Sequence, residues 1–388
     1  MEKAIKDLDI YISDGNYSAK YPRSEEFVDK GIPFIRANNI LDGDVIDDDM
    51  YYITPEKHKI LQKGHVQTGD ILITTRGNIG QVAIVPERHN DSNINAQIVL
   101  LRITTDNLYN RYLLWALQSN NVCGQYQALQ TGTALKQLPV GKLEQVRIRL
   151  TEIDKQHTIA NNLDKTYRII KARQHELKLL DDLIKARFVE MFVKRSYPQQ
   201  TLISLIKNNA GLSYGIVQPG DDGTGDMGVL RPVDLIDGHI STKAIKYINR
   251  SIGDGFKKTE LTGDELLITV RGTTGVTALT NKRFAGMNVT RGIAVIRYDR
   301  QKINPEYLNT FLNSDESQRY IQEHTRGATL QQINLSDLRV QMVIVPPMEL
   351  QEQFAAFVAQ VDKTKEVVKK SLDKAQLLFD SLMQRYFG

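Results

Sequence analysis

The chain is written twice. Sliding it by 195 positions lays Ile73–Gly80 (ITTRGNIG) on Ile268–Gly275 (ITVRGTTG). The same shift lays Arg36 on Arg231, Asn93 on Asn288, Tyr112-Leu113 on Tyr307-Leu308, Ser119 on Ser314, Gly132 on Gly327 and Gln137 on Gln332. Matches this scattered, held in one register over more than a hundred residues, do not arise from shared composition. A repeat constrains the architecture before any local reading, because each copy must supply its own folded unit. A duplicated unit also implies a pseudo-twofold molecule, suited to a target that itself has two parts. Two stretches read as slips in register. Asp70 falls on Asp264 at a shift of 194, as if one residue were inserted in "GDELL" relative to "GDIL". Asp164-Lys165-Thr166 falls on Asp362-Lys363-Thr364 at a shift of 198.

Composition sets the outer bounds. A chain of 388 residues, 41% apolar and 25% charged, reads as a soluble globular protein of two or three domains. No run approaches 18 apolar residues, which argues against a membrane-spanning helix, and "MEKAIKDLDIYISDG" lacks the apolar core of an export signal. The single cysteine, Cys123, excludes an internal disulfide and a cysteine-based zinc site and is expected as a small buried apolar residue on a helix. A cytoplasmic location is expected. The net charge of +4 and pI of about 8.8 permit nucleic-acid binding without demanding it.

Each copy divides into a globular part and a long helix: 1–150, then 151–194; 195–347, then 348–388. The globular parts are full of turn residues between short β-branched runs. Ile71–Thr75, Val82–Val85, Ile98–Ile103, Ile293–Arg297 and Val340–Val345 are predicted strands, and one helix per copy is predicted to end near Ser119 and Ser314. The fold class is therefore mixed α/β (α+β), without a regular βαβ repeat. From Glu152 to Val193 there is no Pro or Gly, and Leu163, Ile170, Leu177, Ile184 and Met191 recur every seventh residue. The second helix repeats the pattern at Phe354, Val361, Val368, Ala375 and Leu382, with Leu372 on the adjoining edge. Sustained heptads predict that the two helices pair as an antiparallel coiled coil, through Leu163, Ile170, Leu177 and Ile184 against Val361, Val368, Leu372 and Leu382.

Catalytic constellations are missing. The chain contains no phosphate-binding G-x-x-x-x-G-K-[ST], no H-E-x-x-H and no G-x-S-x-G, and the acidic loop Gly220–Gly228 lacks the Lys-Ser/Thr of a phosphate loop. The seven histidines show no metal-ligand spacing and read as solvated or structural, so neither a metal nor a cofactor is expected. A large, duplicated protein of this kind points to recognition rather than catalysis.

The candidate contacts recur in pairs. Arg76-Gly77 and Arg271-Gly272 follow a strand into a glycine turn, where the backbone can approach a partner closely and an arginine can fork onto guanine or clamp a phosphate. The residues beside them differ (Asn78 against Thr273-Thr274), as two readers of different sequences would. Arg36 with Asn38 and Asn39, set against Arg231, forms a second cluster, asparagine being suited to adenine. Early loops add Tyr17, Lys20 and Arg23 in one copy and Tyr214 in the other. Late glycine turns add Lys136-Gln137 and Gln331-Gln332.

In this order, these motifs resemble the specificity (S) subunits of type I restriction-modification systems, over essentially the full chain. The resemblance rests on "GD-[IE]-L…T-x-RG-x-x-G" in both copies, the later "[TR]-G-x-[AT]-L-x-Q" turn, and a helix opening Gln-x-x-Ile-Ala-x-x-Leu-Asp at Gln156–Asp164. The second helix opens "EQFAAFVAQVDKTK" at Glu352–Lys365, one residue longer between Gln and Asp. The resemblance implies that each globular domain reads half of a bipartite site in double-stranded DNA. It also implies that the helices form a spacer that docks two methyltransferase (modification) subunits, and that restriction/translocase subunits join them. The methyltransferases would use S-adenosylmethionine to methylate an adenine in each half-site, while the S subunit itself catalyses nothing. A helix of 42 residues spans roughly 63 Å, against about 34–36 Å per turn of DNA, so an uncontacted spacer between half-sites is expected. The alternative is a coiled-coil scaffold with protein-binding heads, which predicts no salt-dependent affinity for DNA.

Overall fold

The computed structural model describes residues 1–388 except 18–19, 134, 208–211, 219, 221–224, 237 and 328–329. Residues 221–224 of the acidic loop Gly220–Gly228 thus lie outside the described residues. The chain forms two compact units, one of residues 1–174 and 370–388, the other of residues 175–369. No helix among the described residues is long and apolar enough to cross a membrane.

In the first unit an antiparallel sheet runs in the order Ile10–Asp14, Ile98–Ile103, Ile71–Thr74, Val82–Ile84. Beside it lies a three-stranded sheet, Tyr51–Ile53, Ile32–Ile35 and Asn93–Ile94, the last pair parallel. Alternation along each strand splits the core. Ile71, Ile73, Val99 and Leu101 face the helices Asn110–Leu117 and Asn120–Leu129, while Leu72, Leu100 and Ile98 face Ile35, Val45 and Val66. Both faces of the central strands are buried, which is why they read as continuous apolar runs. The second unit has the same order: Ser213–Tyr214, Ile293–Ile296, Leu266–Thr269, Thr277–Leu279, beside Lys246–Ile248, Met227–Leu230 and Asn288–Val289. The predicted strand at Val340–Val345 is shorter, Met342–Ile344, because Leu335–Val340 is a helix.

The repeat keeps one register where the sequence reading expected slips. Asp70 accepts the Gln67 N–H at 2.8 Å and a two-pronged contact from Arg102 (2.8 and 2.7 Å). At a shift of 195 the equivalent carboxylate is Glu265, which accepts the Thr262 N–H at 2.8 Å and lies 3.8 Å from Arg297. Burial raises the Glu265 pKa, but hydrogen bonds from Thr262, Thr280 and the Asp264 N–H outweigh it and hold the carboxyl below its ordinary value. Asp264 is not the counterpart of Asp70: it is half-buried and accepts from Tyr298 and Arg300 instead. No residue is inserted. The helix openings are corrected in the same way. Gln156 accepts the Tyr109 N–H and donates to Thr151 O, while Gln351 accepts the Asn304 N–H and donates to Pro346 O. Gln351, not a residue of the Glu352–Lys365 stretch, is therefore the second copy's anchor.

The single predicted helix in each copy is followed by another that the sequence reading missed, Asn120–Leu129 and Asp315–His324. Ser119 and Ser314, expected only as helix ends, cap these helices by accepting from the Val122 and Ser317 N–H groups. Loss of such a cap costs about 1 kcal/mol. Ser119→Ala and Ser314→Ala should each lower a thermal unfolding midpoint by about 2–4 °C, read by circular dichroism. Unequal effects would mean that the two caps are not equivalent.

The long helices run Ile153–Phe188, extended by a π turn at Val189–Val193, and Met348–Phe387. In the first unit the start of one packs on the end of the other: Tyr167 meets Phe379 (ring centroids 5.8 Å), Leu163 shares a core with Leu382, and Phe387 reaches Tyr112 at 5.2 Å. In the second unit Asp181 pairs with Lys365 at 2.6 Å, and Phe188 and Phe192 pack on Phe354 at 5.6 and 5.5 Å. Within each unit the partners descend as the first helix ascends, so the pairing is antiparallel. Leu163, Ile170, Val361 and Val368 are buried. Leu177, Ile184, Leu372 and Leu382 are only half-buried, since a single facing helix leaves part of a side chain uncovered.

Candidate nucleic-acid interface

Two local constructions, one per copy, carry the predicted contacts. In the first unit the strand Ile71–Thr74 runs into Arg76-Gly77, and the Thr75 carbonyl accepts the Leu138 N–H at 2.8 Å. Arg76 thereby lies beside Gln137, whose backbone also pairs both ways with Thr131. In the second unit Val270 accepts the Ile333 N–H at 3.0 Å, Arg271 lies beside Gln332, and the Gly272 N–H donates to Gln331 at 2.8 Å. The R-G-x-x-G turn and the late glycine turn, some sixty residues apart in sequence, are thus stapled into one surface in each copy. Gly77 and Gly272 both take left-handed backbone (φ 72° and 85°), and open space lies where a Cβ would point. A ligand backbone or base edge can come close there.

The arginines at these turns are available. Among the described residues neither the Arg76 nor the Arg271 guanidinium has a hydrogen-bond or ion-pair partner. The Arg76 guanidinium lies 5.0 Å from the Tyr17 ring centroid. Burial pushes the Tyr17 phenol up from its ordinary pKa, and the Arg76 charge opposes it, so Tyr17 stays a neutral platform under a cation. Asn78, Lys136 and Gln137 are exposed beside this pair, and so are Lys20 and Arg23 on their loop. In the second copy Thr273 and Gln331 are exposed, and Thr274 shares a 3.2 Å hydroxyl contact with Thr325. Thr325 escaped the sequence reading, its only signal being its place just before the second glycine turn. The Tyr214 hydroxyl accepts the Leu335 N–H at 3.3 Å, and the exposed remainder of its ring continues the same surface.

The second predicted cluster is structural. Asn39 is fully buried; its Oδ1 accepts the Arg36 N–H at 3.0 Å and its Nδ2 donates to Ile46 and Asp48 at 3.3 and 2.9 Å. It cannot reach adenine. Arg36 is spent on Asp49 (2.7 Å) and lies 3.4 Å from the Tyr51 ring centroid. Arg231 is held by Asp234, which accepts its N–H at 2.8 Å and two guanidinium contacts at 3.1 and 3.0 Å. The conserved spacing between the copies reflects a turn in which a buried side chain must satisfy an amide, not a base reader. Asn38 stays exposed, its Nδ2 3.4 Å from Asp49.

Known proteins agree with this layout. A family model for the type I restriction modification DNA specificity domain matches residues 11–179 and 225–377, one segment in each copy. The specificity subunit of the type I restriction enzyme EcoBI of Escherichia coli is 21% identical over 395 residues, covering 93% of this chain and 80% of its own length. The S subunit of a type I restriction-modification system from M. genitalium has a similar fold, with a TM-score of 0.58 at 15% identity, covering all of this chain and 96% of its own. A chain from a structure of a type I R-M system, described for its complex assembly and conformational transition, aligns with a TM-score of 0.55 at 14% identity, covering all of this chain and 97% of its own.

Proposed function

We infer the function from the family: the chain belongs to the type I restriction-modification DNA specificity family, matched in both copies of its repeat. Its task is DNA sequence specificity for a restriction-modification complex, and the chemistry of that complex falls to other subunits. Within this role, residues 1–150 and 195–347 each read one half of a bipartite target. The helices 151–194 and 348–388 set the gap and dock two methyltransferase subunits, which restriction/translocase subunits join. The complex acts in the cytoplasm, on chromosomal or incoming DNA. Arg76 with Tyr17, Asn78, Lys136 and Gln137 forms one reading surface. Arg271 with Thr273, Thr274, Gln331 and Gln332 forms the other.

One observation carries this reading: at matched places in two diverged copies, an arginine with no hydrogen-bond or ion-pair partner among the described residues stands beside an open glycine turn. Structural arginines in this protein, such as Arg36, Arg102 and Arg231, have carboxylates of their own. An unpartnered guanidinium beside polar side chains is what base-edge or phosphate recognition requires. The protein-binding scaffold has no comparable support. The mild net charge fits a subunit whose partners share the phosphate contacts that dominate affinity.

Mapping N6-methyladenine genome-wide after co-expression with the cognate methyltransferase tests the whole reading. The expected result is one bipartite motif with a fixed, uncontacted spacer, methylated only when this chain is present. Methylation that is absent, or identical without the chain, overturns it.

A further inference from the structure

We propose that the first unit holds a divalent transition-metal ion, zinc by its ligand chemistry, between His58, His65 and Asp91. The sequence reading took the histidines one by one as solvated or structural, but the fold brings two of them together. One ligand atom from each of the three residues lies within 4.8 Å of the others. His58 Nε2 is 3.5 Å and His65 Nδ1 3.9 Å from the Asp91 carboxylate, and the two rings stand 4.4 Å apart.

The hydrogen bonds behind the rings point their lone pairs inward. The far nitrogen of His65, Nε2, lies 2.6 Å from the Leu61 carbonyl, which can only accept. That nitrogen must carry the proton, and neutral His65 then turns a bare Nδ1 toward Asp91. His58 Nδ1 sits 2.5 Å from the Asn93 side-chain oxygen, and with the proton on Nδ1 the neutral ring turns a bare Nε2 toward Asp91. Two lone pairs and a carboxylate facing one another repel unless a metal cation, or protons on the two rings, stand between them. A ring nitrogen fixed by an oxygen behind it is the usual support of a metal-bound histidine. Tetrahedral zinc with bonds of about 2.0–2.1 Å sets ligand atoms about 3.3 Å apart. His58 is nearly buried, whereas the Asp91 carboxylate is 71% exposed and can swing the remaining distance. Three protein ligands leave a fourth position for water.

The second copy sharpens the inference. At a shift of 195 the three positions become Gly253, Glu260 and Gly286, so all three ligands are peculiar to the first copy. Asp91 keeps left-handed backbone (φ 60°) at a place where its counterpart is glycine (φ 80°). The Asp91 and Gly286 N–H groups donate to Val66 and Leu261 at 2.9 and 2.8 Å, so the turn itself is the same. The turn does not need a carboxylate; a ligand role accounts for one.

The test uses the full chain, stripped with EDTA and dialysed against Zn2+ or Co2+, with metal counted by mass spectrometry and Co2+ followed by its visible absorption. The expected result is one ion per chain. Asp91→Gly, which restores the residue the other copy uses at this backbone conformation, and His65→Gln should each weaken binding at least tenfold. His157→Gln, away from the cluster, should not. Zn2+ should raise the thermal midpoint of the unaltered chain and not that of Asp91→Gly. No stoichiometric uptake, or uptake unchanged in both variants, would mean that His58 and His65 simply donate to Asp91, and the proposal fails.

Discussion

Replacing Arg76 by alanine should relax one half of the methylated motif and leave the other half intact; Arg271→Ala should do the reverse. Each guanidinium stands beside an open glycine turn without a hydrogen-bond or ion-pair partner among the described residues, so its removal leaves no buried carboxylate behind and the fold should survive. If the fork contacts a base pair, the loss is about 1–3 kcal/mol at that position, or roughly 5- to 150-fold in affinity for the cognate half-site. Arg76→Lys separates charge from geometry: lysine keeps the charge but not the planar two-pronged contact, so discrimination should fall nearly as far as with alanine. Methylome mapping and salt-dependent binding to oligonucleotides read both effects. A phosphate clamp would weaken every sequence alike and lower the salt slope by about one unit, with lysine substituting well. Unchanged binding in both alanine variants would assign the turns a purely structural role.

The architecture was legible in the sequence for physical reasons, and so were the mistakes. The repeat announces itself through its fixed shift, the long helices through their heptads and the central strands through continuous apolar runs, because burial acts on every turn of a helix and on both faces of those strands. Ile98–Ile103 even keeps its predicted bounds. The second helix of each pair hides because Asn120–Leu129 and Asp315–His324 bury few apolar side chains and are defined by their serine caps. The supposed insertion at Asp264 came from matching the letters Gly-Asp. The fold keeps the carboxylate that faces an arginine, and Glu265 does that in place of Asp70. Arg36 and Arg76 looked alike in sequence; what separates the structural arginine from the proposed reader is the Asp49 carboxylate against Arg36, where Arg76 has only the Tyr17 ring among the described residues. His58, His65 and Asp91 are invisible to spacing rules because the fold, not the sequence, brings them together.

Lengthening the paired helices should change the distance between half-sites and leave both half-site sequences alone. Both helices pass from one compact unit to the other, between 174 and 175 and between 369 and 370, so matched insertions there spare the contacts inside each unit. Four residues in each helix add about 6 Å and a net turn of about 40°. Two base pairs add about 7 Å and about 70° of the same hand. The advance corresponds to about two base pairs and the rotation to about one, which predicts a methylated motif whose spacer grows by about one to two base pairs. Seven residues keep the heptad phase and so suit the coiled coil better, yet they add about 10.5 Å with almost no net turn, whereas three base pairs rotate DNA by about 105°. The seven-residue variant should therefore be stable but methylate poorly. If it outperformed the four-residue one, helix packing rather than groove alignment would govern activity. A methylome in which the half-sites change while the spacer stays fixed would place base readout on the helices themselves and refute the division of labour between heads and rod.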